Sequence, residues 1–119
     1  MAAGIDSHHG LRTWHRTLCR SIDREGAGLT ARQMAILLTV YLSEPPHTVR
    51  GLAKKLGVAK PVISRALDTM GKLGYVKRKR DEDDKRNIFI QRTVKGAVYL
   101  SEFADTISAA EQDIEQSIP

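Results

Sequence analysis

Helix-breaking residues divide this chain into short segments, and their spacing restricts the folds that it can adopt. The Gly26-Ala27-Gly28 stretch, the Pro45-Pro46 pair and Gly57 each interrupt an apolar pattern that otherwise repeats with helical spacing. No apolar run approaches the ~18 residues that a membrane span requires. We therefore expect a small fold assembled from several short helices, with no membrane partner.

The segments between these breaks predict mostly helices. Residues 30–43 begin with the capping-box pattern of Thr30 and Gln33 and have almost no polar face, which predicts a buried central helix. In residues 75–92, strand-forming residues flank a charged stretch, which predicts a β-hairpin with a long charged tip. The other predicted helices are 7–25, 48–56, 60–73 and 94–116.

Length and composition are those of one globular domain. With 119 residues, of which 41% are hydrophobic and 28% charged, the chain is predicted to be a single domain over 1–119. A single cysteine cannot form an internal disulfide, and no signal-peptide pattern opens the sequence. These features exclude a disulfide mini-protein or a zinc finger and predict a cytoplasmic protein.

Charge is distributed unevenly along the sequence. Residues 47–96 carry fourteen Lys and Arg against five acids, whereas residues 97–119 carry five acids and no Lys or Arg. A basic middle followed by an acidic end indicates a polyanionic partner for the middle. The alternative is a solvated, lysine-rich surface, and charge alone does not decide between the two.

The order of the middle segments predicts a winged helix-turn-helix. Two short helices, 48–56 and 60–73, are separated by Gly57 and followed by the basic hairpin. In such a unit the first helix braces against the DNA backbone, and the second lies in the major groove with its early residues near base edges. The predicted fold is therefore mainly α with a small β-hairpin wing, and the predicted partner is double-stranded DNA.

Side chains suited to DNA lie at the start of the second helix and in the hairpin. Arg65 can pair with guanine and Ser64 with several bases, while Val62 can touch a thymine methyl group. Lys60, at the helix start, can reach a phosphate or a base. The predicted phosphate contacts are Arg50, Lys54, Lys55, Lys77 and Lys79, and the cations of the wing tip are Lys79, Arg80, Lys85 and Arg86.

Four consecutive acids, residues 81–84, interrupt the cations of the wing. Unpaired acids at this position would repel DNA. Asp84 lies two residues before Arg86, and we predict an internal pair in which Asp84 orients the guanidinium. The alternative is a solvated loop of mixed charge.

Residues 52–96 resemble the winged-helix core of MarR-type bacterial transcriptional regulators, and 29–42 resemble the helix that precedes that core. The family pattern of an Asp-x-x-Asp-Arg-Arg wing followed by Thr-x-x-Gly falls on Asp81, Asp84, Lys85, Arg86, Thr93 and Gly96. The resemblance implies a sequence-specific regulator, a homodimeric repressor on a palindromic operator in the nucleoid, with a small-molecule effector as a further possibility. It places DNA contacts on Lys60, Pro61, Ser64, Arg65 and Arg86.

The sequence departs from the family pattern in two places. Lys85 replaces the first arginine of the wing pair, which keeps the positive charge but loses the planar guanidinium and its paired N–H donors. A single helix, 94–116, follows the wing where the family usually has two, so we expect a smaller or differently arranged dimer and an incomplete effector pocket. The apolar stripes of 7–25 and 94–116 are predicted to dimerise, with packing inside one chain as the alternative; the residues are Leu11, Trp14, Leu18, Leu100, Phe103, Ile107 and Ile114.

The first predicted helix carries two further features. Arginines at 12, 16, 20 and 24 form a self-repelling ladder that would favour an anion, either the acidic C-terminal segment or nucleic acid; simple solvation is the alternative. Cys19 lies among these arginines, which would favour its thiolate. Some relatives sense peroxides with a cysteine in this helix, although most lone helical cysteines are small packing residues.

No catalytic or metal-binding motif is present. The sequence has no nucleophile elbow, phosphate loop or zinc-protease helix, and its histidines lack ligand spacing, so we expect no catalytic residue, no cofactor and no metal. Two other functions remain open. A winged helix can serve as a protein-interaction adaptor, which would not need the basic middle, or as a nonspecific architectural DNA-binding protein, which would show little sequence preference.

Overall fold

In a computed structural model, residues 7–22 and 28–117 are described. They form five helices and a three-stranded sheet, and the prediction of a mainly helical chain with a small β wing is confirmed. The elements are α1 (Ser7–Ile22), α2 (Ala31–Leu42), β1 (His47–Thr48), α3 (Val49–Leu56), α4 (Lys60–Lys72), β2 (Val76–Arg80), β3 (Ile88–Arg92) and α5 (Val94–Ser117).

The chain divides into two compact units. One, the winged unit, comprises residues 29–99; the other, the helical unit, combines the described residues up to 28 with α5 from residue 100 onward. The single domain over 1–119 stays a prediction. Residues 23–25 of the predicted first helix lie outside the described residues, and the other predicted helix ends agree with the structure to within one residue.

Helix α2 forms the centre of the winged unit. The predicted capping box is present, because Thr30 Oγ1 accepts from the Gln33 amide and Gln33 Oε1 accepts from the Thr30 amide. The side chains of Ile36, Leu37 and Val40 are completely or almost completely buried. The prediction that this helix is buried all round is wrong at Leu42, which is 80% exposed at the last position of the helix, just before Ser43 continues in an extended conformation.

The two helices of the helix-turn-helix have well-defined boundaries. Thr48 Oγ1 accepts from the Gly51 amide at 2.9 Å and caps α3, which ends at Gly57 with φ of +67°. A left-handed residue ends a helix at little cost only where there is no Cβ. Helix α4 follows with Pro61 in its first turn and packs its Ile63, Ala66, Leu67 and Met70 face into the core.

The sheet has the antiparallel order β1-β3-β2, and its outer strands sit on either side of β3. Strands β2 and β3 form the predicted hairpin, with Arg78 opposite Ile90. Strand β1, which the sequence analysis did not predict, adds two residues to the other edge of β3, with His47 opposite Ile90. The hairpin tip is closed by hydrogen bonds from the Asp81 amide to the Asn87 carbonyl and from the Asn87 amide to the Asp84 carbonyl.

A hydrogen-bonded junction joins α2 to the start of α5. The Tyr41 hydroxyl accepts from the Thr93 amide at 2.9 Å and donates to the Tyr75 carbonyl at 2.8 Å. Thr93 Oγ1 donates to the Gly74 carbonyl at 2.6 Å and accepts from the Gly96 amide at 2.9 Å. Gly96 is buried against this junction, so the Thr-x-x-Gly pattern of the sequence has a structural role here.

In the helical unit, polar groups of α1 are paired with acids of α5. Asp113 accepts from Arg16 Nε at 2.7 Å and from Arg20 Nε at 2.8 Å. These hydrogen bonds, that of Arg20 foremost, hold the pKa of Asp113 well below its usual range. Hydrogen bonds from Thr13 and His9 likewise lower the pKa of Glu111. Two arginines of the ladder, Arg16 and Arg20, therefore contact an acid of the C-terminal segment, which is one of the two anions considered for the ladder.

Candidate nucleic-acid interface

The first turns of α4 present the residues predicted to read bases. Because the opposite face of the helix is buried, Lys60, Pro61 and Arg65 are exposed, and Val62 and Ser64 are half-buried at its margins. An apolar anchor on one side and solvent on the other is the geometry that a recognition helix requires. Whether these side chains contact bases stays a prediction.

The cations predicted to contact phosphate are exposed on α3 and on the wing. Each lies in the winged unit together with α4. They are Arg50, Lys54 and Lys55 on α3, Lys77, Lys79 and Arg80 on β2, and Lys85 and Arg86 at the wing tip.

The Asp84–Arg86 pair that the sequence predicts is present at the wing tip. Arg86 Nε lies 3.1 Å from Asp84 Oδ1 and Arg86 Nη2 lies 3.2 Å from Asp84 Oδ2, so both ends of the fork are engaged. The Arg86 amide also donates to Asp84 Oδ1 at 3.1 Å. Hydrogen bonds from the Arg86 side chain, then its backbone, lower the pKa of Asp84. The pair holds the guanidinium in one orientation while Arg86 stays 78% exposed.

Two arginines have roles that the sequence analysis missed. Nothing in the run Lys77-Arg78-Lys79-Arg80 distinguishes Arg78 from its neighbours, but its Nη1 lies 2.6 Å from Asp68 Oδ1 and its Nη2 donates to the Ser64 carbonyl at 3.0 Å. Arg92 donates to the carbonyls of Val40 at 3.0 Å and Ser43 at 2.8 Å, at the end of α2. The available signal was strand alternation, which places both residues on the same face of the sheet as buried Ile90.

The residues predicted to dimerise differ in exposure. On α1, Leu11, Trp14 and Leu18 are 63%, 43% and 45% exposed. On α5, Ile107 is 39% exposed, whereas Ile114 is only 7% exposed and packs inside the chain. Leu100 and Phe103 are half-buried, and the Phe103 ring meets that of Trp14 edge-on, with centroids 6.5 Å apart. Part of the predicted stripe therefore serves packing within one chain, which is the alternative left open by the sequence.

Cys19 and the histidines form no larger cluster among the described residues. Cys19 is half-buried, and its Sγ lies 3.4 Å from His15 Nε2, one turn earlier on α1. His47 is buried, with Nε2 3.2 Å from the Ser43 carbonyl. Within residues 7–22 and 28–117, no three His, Cys, Asp or Glu side chains come together as a metal site, and no helix has the length and apolar character to cross a membrane.

Two short helices joined by a left-handed glycine, a solvent-facing second helix and a basic hairpin define a winged helix-turn-helix. Comparison with known proteins agrees with this class. The model of the MarR family matches residues 27–87, just over half of the chain. The chain therefore belongs to the MarR family, a family of transcriptional regulators and not of enzymes, and the resemblance noted from the sequence is confirmed.

Individual proteins are similar to this chain in sequence or in structure. The HTH-type transcriptional repressor YetL of Bacillus subtilis (strain 168) is 32% identical over 79 residues, which cover 66% of this chain and 47% of YetL. The chain thus matches about half the length of that relative. A mutant of S. aureus MepR superposes with a TM-score of 0.73 at 18% identity, covering 94% of this chain and 77% of MepR. The repressor CouR, bound to a 23-mer DNA duplex, gives 0.71 at 23% identity, covering 92% and 75%.

Proposed function

We propose that this protein is a sequence-specific double-stranded DNA-binding regulator that acts in the bacterial cytoplasm, as a repressor, on nucleoid DNA. The observation that carries the proposal is the placement of exposed cations on three consecutive elements of the winged unit: α3, the start of α4 and the wing. The relative YetL is named a transcriptional repressor, and CouR was solved on DNA. Both support this assignment.

Affinity and specificity come from different parts of this surface. The exposed cations of α3 and the wing would neutralise phosphates, release counterions and make binding fall steeply with salt. Arg65, exposed one turn into α4, would supply sequence preference through a bidentate contact with guanine. Arg86, held by Asp84, would enter the minor groove at the wing tip, where arginine is favoured.

A homodimer is part of the proposal. Leu11, Leu18 and Ile22 of α1 are 63%, 45% and 77% exposed in the single chain. Covering such side chains is favourable by roughly 25 cal/mol per Å² of apolar surface. A two-fold dimer would place two recognition helices on a palindromic operator. A small-molecule effector also remains a proposal, with no residue assigned to it.

Selection from a randomised duplex pool, repeated at several salt concentrations, tests the function. We expect enrichment of an inverted repeat and a binding constant whose logarithm falls linearly with the logarithm of salt concentration. Salt-sensitive binding without enrichment would instead indicate an architectural protein. Absence of binding at low salt would contradict the proposal for the free protein and favour the protein-interaction adaptor.

A further inference from the structure

One cation of the basic wing faces the recognition helix. Arg78 occupies the middle of β2, opposite buried Ile90, and its guanidinium reaches across to α4. Two of its nitrogens are engaged there: Nη1 with Asp68 Oδ1 at 2.6 Å and Nη2 with the Ser64 carbonyl at 3.0 Å. Its charge is thus opposed by a carboxylate within the same unit, unlike the charges of its neighbours on β2, for which no ion pair is found among the described residues.

The two acceptors come from residues one turn apart on a single helix but lie side by side, because a helical carbonyl points toward the residue four positions later. Residues 64 and 68 are four positions apart, so they lie one above the other on one face of α4. A planar guanidinium that holds both acceptors resists rotation of the helix about its axis as well as sliding along it. The buried residues of α4 hold its core-facing side, and Arg78 holds the flank on which Ser64 is half-buried and Asp68 is exposed.

Small rotations of α4 matter for base recognition. A rotation of about 10° moves a side-chain tip ~8 Å from a helix axis by ~1.4 Å. The side chains of a binding site must be held within about 0.5 Å of their productive positions. Arg65 follows directly after Ser64, whose carbonyl Arg78 holds, so it lies on the clamped turn.

We propose that Arg78 is a positioning residue for DNA specificity, clamping the turn between Ser64 and Asp68 of the recognition helix through the Ser64 carbonyl and the Asp68 carboxylate so that Arg65 is held in register with base edges. The inference rests on the proposed function. It separates Arg78 from the other cations of β2: those neutralise phosphates, whereas Arg78 sets the discrimination between duplexes.

The test compares binding to a selected duplex and to a scrambled duplex between about 50 and 200 mM salt. Arg78→Lys keeps the charge and removes the fork. We expect the ratio of the two affinities to fall about tenfold, with the salt dependence unchanged. Lys77→Ala is the matched contrast on the adjacent position. It should weaken both duplexes equally and reduce the salt slope by ~0.9, the value for one phosphate.

Asp68→Asn tests the same clamp from the helix side. We expect it to lower the affinity ratio as well, and the double variant with Arg78→Lys to be no worse than either single variant, because both remove one interaction. Circular dichroism and thermal melting verify that each variant is folded.

Three outcomes would overturn the inference. One is an unchanged affinity ratio in Arg78→Lys. Another is an affinity ratio that stays unchanged in Asp68→Asn, whatever happens to the absolute affinities. The third is a wild-type protein that does not discriminate between the duplexes. That last result would remove the proposed function itself, so the two failures are distinguishable.

Discussion

Replacing Gly96 by alanine should destabilise the winged unit markedly. A Cβ at this position would fall within the contact distance of the Tyr41 hydroxyl and the Tyr75 carbonyl, neither of which is the end of a freely moving side chain. Tyr41 is held by its bonds to Thr93 and Tyr75, so relief of the clash requires breaking them or shifting backbone.

The magnitude follows from three opposing contributions. Overpacking a well-packed site costs ~1–3 kcal/mol. Each lost hydrogen bond of Tyr41 costs roughly 0.5–1.5 kcal/mol. The better helix propensity of alanine returns at most ~1 kcal/mol. With one hydrogen bond lost, the midpoints of these ranges give a loss of about 2–3 kcal/mol, which for a chain of this length lowers Tm by roughly 8–12 °C.

Thermal melting followed by circular dichroism measures this loss. The matched control is Gly71→Ala, since a Cβ there meets nothing within 4 Å. Gly71 is also helical and exposed, so the control should leave Tm unchanged or raise it by a few degrees. Equal Tm values for Gly96→Ala and the wild type would show that the junction accommodates a methyl group, and the reasoning from close packing would be refuted.

Four further predictions concern the proposed interface and the helical unit. Arg65→Ala should cost ~1–3 kcal/mol on the selected duplex and relax sequence preference in competition assays; uniform weakening on all sequences would make it a phosphate contact. Arg86→Ala should weaken binding evenly across sequences, and unchanged affinity would remove the wing from the mechanism. Ile107→Asp should give a folded monomer in light scattering, since Ile107 is 39% exposed in the single chain, and an unaltered molar mass would place the interface elsewhere. Because the pKa of Asp113 is lowered in the folded state, its contribution to stability is present above the unfolded value near ~3.9 and is lost as pH falls through the folded value. Asp113→Asn should therefore lower Tm at pH 7 and make no further difference in strong acid, and an equal deficit at both pH values would contradict this assignment.

Most of the architecture could be predicted because it depends on local signals. The capping box at Thr30, the left-handed Gly57 and the Asp84–Arg86 pair each involve residues at most three positions apart or a single backbone conformation. Such features are determined by short stretches of sequence. The fold class and the wing-tip pair followed from them.

The features that were missed join distant parts of the chain. Tyr41 bonds to residues 34 and 52 positions away, and Arg92 bonds to Val40 over 52 positions. Arg78 reaches Asp68 only because the hairpin folds back beside α4. Strand alternation places Arg78 and Arg80 on one face of β2, but it does not show which of them contacts α4. That distinction requires the register of the sheet.

Strand β2 lies at one edge of the sheet, and within residues 7–22 and 28–117 no strand pairs with its outward backbone groups. An uncovered edge can pair with another chain, and closely spaced cations are a common protection against such aggregation. The sequence of β2, Val-Lys-Arg-Lys-Arg, supplies that protection on the same strand that is proposed to meet DNA. Neutralising all four cations of β2 would therefore remove the protection against aggregation together with the proposed phosphate contacts. Single substitutions, each checked for self-association, separate aggregation from the loss of DNA binding. Bound DNA would itself shield this edge from other chains.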